Sequence, residues 1–120
     1  MTNLAIIGCG NMGQYTAKAL EPKVESIKVF DPNIPRETLE KSLQGIPSIA
    51  DNYRDAVRNA DAVMFCVPYN LVSEAMQNTL PFCKKGTLIS GQTSRKTPEA
   101  EAFDRYISKN PGADLEFVTV

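Results

Sequence analysis

The segment Gly8-Cys-Gly-Asn-Met-Gly13 constrains the fold of this chain more than any other. It follows an apolar run, Asn3 to Gly8, and opens a stretch in which Met12, Thr16, Ala19 and Leu20 share one helical face. A Gly-x-Gly-x-x-Gly pattern between a strand and a helix is the phosphate-cradling turn of a βαβ unit. Each glycine has a separate physical reason. Gly8 permits the tight turn, Gly10 lets the backbone approach a pyrophosphate with no Cβ in the way, and Gly13 lets helix and strand pack closely. The free N–H groups of the helix N-terminus, near Asn11 and Met12, then face the phosphates. Asp31 stands eighteen residues after Gly13, at the end of a second run, Glu25 to Phe30, in which Ile27 and Val29 alternate with polar neighbours. A carboxylate there accepts hydrogen bonds from the ribose 2′- and 3′-hydroxyls and repels a 2′-phosphate, which favours NAD over NADP. Arg36, five residues later, is either a cation that offsets this repulsion or a solvated helix charge.

The rest of the chain continues the alternation. Pro35 to Leu43 predicts a short polar helix closed by Gly45, and Ile46 to Ala50 a brief strand that Pro47 assigns to a sheet edge. Asp51 is a candidate cap for a helix running to Asn59, with Ala56 and Val57 inward. Ala62 to Val67 is a near-continuous apolar run, as in a strand covered on both faces. Leu71, Val72, Ala75, Met76 and Leu80 mark a helix face, Thr87 to Ser90 a strand, and Thr97-Pro98 a helix start with Phe103, Tyr106 and Ile107 inward. Leu115 to Val120 is a sixth strand. Strands separated by helices pair in parallel through crossovers. The predicted fold is α/β: a Rossmann-type, doubly wound parallel sheet of about six strands with helices on both faces, forming one dinucleotide-binding domain over residues 1–120.

Composition narrows the function. With 13 Lys+Arg against 14 Asp+Glu there is no basic face for nucleic acid. No apolar run is long enough to span a membrane and the N-terminus has no signal-like pattern, which makes the cytoplasm the default location. The absence of histidine excludes Ser-His-Asp and Cys-His catalysis within these residues, and any His-based metal site. Cys9, Cys66 and Cys83 fit no zinc spacing and are expected to be buried, reduced thiols.

Two further segments end predicted strands on the side where ligands lie in such sheets. Val67-Pro68-Tyr69 would line ribose and nicotinamide through the Val67 and Pro68 backbone; the alternative is a simple helix-entry proline. Gly91-Gln-Thr-Ser-Arg-Lys96 carries hydrogen-bonding groups, among them Gln92 and Ser94, and two cations, which suits contact with both nicotinamide and an anionic substrate. Glu99, Glu101, Asp104 and Arg105 are expected to form a solvated helix face.

Together these segments carry a family resemblance. Gly-Cys-Gly-Asn-Met-Gly resembles the fingerprint of dehydrogenases related to the 6-phosphogluconate and pyrroline-5-carboxylate enzymes. The segment from Gly91 to Phe103 is more specific and looks like prephenate dehydrogenase, above all its fungal-type branch. Ser94 and Lys96 match the family's serine and lysine in a Ser-x-Lys loop. The resemblance implies oxidative decarboxylation of prephenate to 4-hydroxyphenylpyruvate in tyrosine biosynthesis, with Ser94 hydrogen-bonding near the substrate. It implies NADP as cofactor, against the NAD implied by Asp31, so the cofactor stands as NADP or NAD. It also implies a catalytic histidine after the sixth strand, a helical dimerisation and substrate domain beyond Val120, and a homodimer for the full-length family. On this basis the 120 residues are expected to be a cofactor-binding part, inactive alone. Arogenate dehydrogenase and a free-standing NAD(P)-sensing module are the alternatives.

Overall fold

In the computed structural model, residues 2–8, 10, 17–43, 48–91 and 97–118 are described. Six strands, β1 (Asn3–Ile7), β2 (Ser26–Phe30), β3 (Ser48–Ile49), β4 (Ala62–Phe65), β5 (Thr87–Gly91) and β6 (Leu115–Val118), form one sheet in the order β3-β2-β1-β4-β5-β6. Every neighbouring pair is parallel. The register aligns the ends of the three central strands, with Ile7 opposite both Phe30 and Phe65.

Alternation along the central strands feeds two apolar layers. Ala5 and Ile7 of β1 point to one face with Val63 and Phe65 of β4 and Ile89 of β5. Leu4 and Ile6 point to the other with Ile27 and Val29 of β2. The first face is covered by α3 (Tyr53–Val57), α4 (Val72–Thr79) and α5 (Thr97–Lys109), through Ala56, Val57, Val72, Ala75, Met76, Ala102 and Phe103. The second is covered by α1 (residues 17–20) and α2 (Arg36–Leu43), through Ala17, Leu39 and Leu43. A strand clad on both faces needs apolar residues along its buried length, which is why β1 from Leu4 onward and β4 read as unbroken apolar runs.

Several local expectations are corrected. On α1 Ala17 is buried and Ala19 is exposed; Leu20 of the expected face packs partly buried against the core, and Met12 and Thr16 lie outside the described residues. The third strand lies at the sheet edge as Ser48–Ile49 and stops before Ala50; its expected start at 46 and 47 lies outside the described residues. The cap of α3 is Asn52, whose side chain accepts from the Asp55 N–H at 2.8 Å, and the helix ends at Val57. Asp51 instead donates its N–H to Asp55 Oδ2 at 3.1 Å, so the capping residues are displaced by one. Cys66 and Cys83 are half-buried, not buried; Cys9 lies outside the described residues.

Candidate functional site

The strand order reverses between β1 and β4: one neighbour leads outward to β2 and β3, the other to β5 and β6. At such a switch point the connections leave to opposite faces and open a crevice at the carboxyl ends of the strands. β1 ends there because Gly8 turns sharply, with φ +92. A Cβ built on Gly8 would stand 2.6 Å from Val67 Cγ1 and 2.9 Å from the Cys66 carbonyl carbon and oxygen. Only glycine permits both that dihedral and that approach. The turn is tied to both neighbouring strands: the Gly8 N–H donates to the Phe30 carbonyl at 2.8 Å, and the Cys66 N–H donates to the Ile7 carbonyl at 2.7 Å.

Gly10 differs. It is exposed, its φ is not left-handed, and a Cβ there meets no atom within 4 Å. Among the described residues, protein packing does not require glycine at this position. That open space is compatible with a pyrophosphate approaching the backbone.

Asp31 follows β2 directly and is half-exposed. Its Oδ1 accepts from the Asn33 N–H at 2.8 Å, and its carbonyl accepts from the Ile34 N–H at 3.3 Å. These two bonds close a turn over residues 31–34, and it orients the carboxylate. Val67 is half-buried against Gly8, and Pro68 is exposed with its carbonyl accepting from the Leu71 N–H at 2.8 Å, which starts the 3-10 turn Tyr69–Leu71. Gly8, Gly10, Asp31, Val67 and Pro68 thus stand at the carboxyl ends of β1, β2 and β4. Asn11, Met12, Gly13, Gln92 and Ser94 lie outside the described residues.

Two grooves flank the turn at Pro32. One, of about 280 Å³, is lined by Pro32, Asn33, Tyr53, Val67, Leu71 and Glu74, among others. The other, of about 350 Å³, is bordered by Asp31, Arg36, Ile49, Ala50 and Asp51, among others. Sequence reasoning missed Tyr53 and Asp51. Tyr53 packs edge-on to Phe30, ring centres 4.9 Å apart. Burial, then the Glu74 and Asp31 carboxylates, push its hydroxyl pKa up, so it keeps its proton. Asp51 pairs with Arg36, Oδ1 to Nη1 at 2.6 Å, while Arg36 Nε meets Glu40 Oε1 at 3.1 Å. Both missed residues lie just beyond β3; the sequence carried only the general signal that loops at the carboxyl ends of parallel strands collect on one side, not which residues meet there. Among the described residues no group of three or more His, Cys, Asp or Glu could hold a metal ion, and no helix is long and apolar enough to cross a membrane.

A dinucleotide needs a glycine turn at a switch point, space for phosphates above it and a carboxylate at the end of the adjacent strand; the residues present fit that group. Comparison with known proteins agrees. The chain is 30% identical over 98% of its length to prephenate dehydrogenase [NADP(+)] of Saccharomyces cerevisiae, covering 25% of that protein. It is 30% identical over 78% of its length to cyclohexadienyl dehydrogenase of Zymomonas mobilis, covering 33% of it. The chain therefore spans a quarter to a third of the length of these curated relatives. Among solved structures, 3-hydroxyisobutyrate dehydrogenase of Mycobacterium tuberculosis superposes with a TM-score of 0.79 over 99% of this chain and 40% of that one, at 20% identity, a likeness of fold. Residues 3–117 match the family described as the NAD binding domain of 6-phosphogluconate dehydrogenase. The chain belongs to that family and is an NAD(P)-binding dehydrogenase domain with the Rossmann fold.

Proposed function

We infer that this chain is the nucleotide-binding part of a prephenate dehydrogenase, an enzyme that oxidatively decarboxylates prephenate to 4-hydroxyphenylpyruvate. The observation that carries this reading is the likeness to the yeast enzyme along nearly the whole chain. The solved structures share only the fold and favour no substrate.

The cofactor, when bound, supplies a hydride acceptor. In this reading, the chain's own residues hold and orient it. Gly8 sets the turn and Gly10, Asn11, Met12 and Gly13 present backbone to the pyrophosphate. Asp31 accepts from the adenosine ribose. Val67, Pro68 and Gln92 line the far ribose and the nicotinamide, and Ser94 hydrogen-bonds near the substrate. The reading carries with it a place in tyrosine biosynthesis, a cytoplasmic location, a homodimeric enzyme and no detectable turnover by the 120 residues alone.

The test is turnover by the complete polypeptide that the reading frame encodes, followed by nicotinamide absorbance. Prephenate, arogenate and 3-hydroxyisobutyrate are offered separately with NAD⁺ and NADP⁺. Prephenate-dependent reduction above the other two supports the reading. Preference for arogenate moves the substrate by one functional group, and activity only with 3-hydroxyisobutyrate refutes it.

A further inference from the structure

The groove beside Asp31 contains a cation whose availability decides what a ribose 2′-position meets. Arg36 opens α2 and borders the groove with Asp31 and Asp51. A 2′-phosphate needs such a guanidinium, which binds phosphate through paired N–H donors. Here two of its five N–H donors are directed elsewhere: Nη1 to Asp51 Oδ1 at 2.6 Å and Nε to Glu40 Oε1 at 3.1 Å.

Asp51 is held in position by the fold. The preceding Ala50 N–H donates to the Val29 carbonyl at 2.8 Å, extending the β2–β3 ladder. The Asp51 N–H donates to Asp55 Oδ2 at 3.1 Å, and Asp55 is itself anchored by Lys28 at 3.3 Å and capped by Asn52. The backbone of residue 51 is thus pinned to the sheet and to α3. Its carboxylate reaches across to α2, fifteen residues earlier in the chain.

We propose that Asp51 is a specificity-determining residue of the dinucleotide site: by holding the Arg36 guanidinium it withholds that cation from a ribose 2′-phosphate, so the site favours a dinucleotide with a free 2′-hydroxyl. This rests on the dinucleotide reading of the Gly8–Asp31 crevice. Asp31 and Asp51 contribute two negative charges to one groove, and Arg36 is already matched by Asp51 and Glu40. A 2′-phosphate entering there meets like charge and must displace a carboxylate. The pair is solvent-exposed, with Arg36 at 52% and Asp51 at 76%, so the effect is a few-fold, not orders of magnitude.

The experiment is calorimetric titration of the chain with NAD⁺ and with NADP⁺, on the unmodified protein and on Asp51→Asn, Arg36→Gln and the double variant, each checked for folding by circular dichroism. The proposal expects NAD⁺ to bind the unmodified chain more tightly. Asp51→Asn should tighten NADP⁺ by about three- to five-fold and leave NAD⁺ within about two-fold, and that gain should vanish when Arg36 is also replaced. An unchanged NADP⁺/NAD⁺ ratio in Asp51→Asn overturns the role of Asp51 while leaving the dinucleotide reading intact. The same gain without Arg36 also overturns it, since removal of charge alone then accounts for the change. Failure of the folded, unmodified chain to bind either dinucleotide overturns the dinucleotide reading and this proposal with it.

Discussion

Gly8→Ala should weaken the whole domain, and the structure sets the size of the effect. Two costs combine. At φ +92 an L-residue sits in a sparsely populated region, which costs about 1–3 kcal/mol. The new methyl would also stand 2.6 Å from Val67 Cγ1 and 2.9 Å from the Cys66 backbone. Val67 can rotate, but the Cys66 carbonyl cannot retreat without straining the 2.7 Å bond from its own N–H to Ile7 and the β1–β4 ladder beyond it. Overpacking of this kind costs about 1–3 kcal/mol more. The sum, about 2–6 kcal/mol, is a large part of the 5–15 kcal/mol that holds an ordinary domain together. Urea unfolding followed by circular dichroism should show a lower midpoint at unchanged slope. Gly10→Ala is the control, because its Cβ meets nothing within 4 Å and its φ is not left-handed. It should leave the midpoint unchanged to within about 0.5 kcal/mol. Equal midpoints for Gly8→Ala and the unmodified chain, or equal losses for the two variants, would refute the reasoning.

Phe65→Ala should destabilise by about 3–5 kcal/mol in the same unfolding assay, because Phe65 is fully buried between the sheet and the helices on its face. Asn52→Ala removes the 2.8 Å cap of α3 and should cost about 0.5–2 kcal/mol, whereas Asn52→Asp should restore most of it. Burial pushes the Cys83 thiol from 9.0 up to about 12, so alkylation near pH 8 should be far slower in the folded than in the urea-unfolded chain. Because the folded pKa is the higher one, Cys83 favours folding fully below pH 9.0 and loses that contribution as pH rises toward about 12; Cys83→Ala should flatten the stability profile across that window.

The architecture was legible because alternation of apolar runs with helical periodicity is a property of the chain itself. β1 and β4 announce themselves by apolar residues on both faces, and Pro47 correctly put the third strand at an edge. Boundaries were less legible where neighbouring residues are chemically equivalent. Asp51 and Asn52 are both good caps, and only the fold decides that Asn52 bonds to Asp55 while Asp51 turns to Arg36. On α1, Ala17 and Ala19 are the same residue type, so composition cannot say which faces the sheet. At the site, the need for glycine at position 8 was readable from the motif. Its source was not, because Val67 and Cys66 approach from just beyond the end of β4, nearly sixty residues away. The Arg36–Asp51 pair and the place of Tyr53 beside Phe30 are likewise products of β2 and β3 lying side by side.

The most direct test of the central claim is calorimetric titration of NAD⁺ and NADP⁺ into the folded chain and into Gly10→Ala. The account predicts saturable one-to-one binding by the unmodified chain, and clear weakening in Gly10→Ala at undiminished stability, because the added methyl enters the space where the pyrophosphate approaches the backbone. Undiminished binding by Gly10→Ala, or no binding of either dinucleotide by a chain shown to be folded, would contradict it.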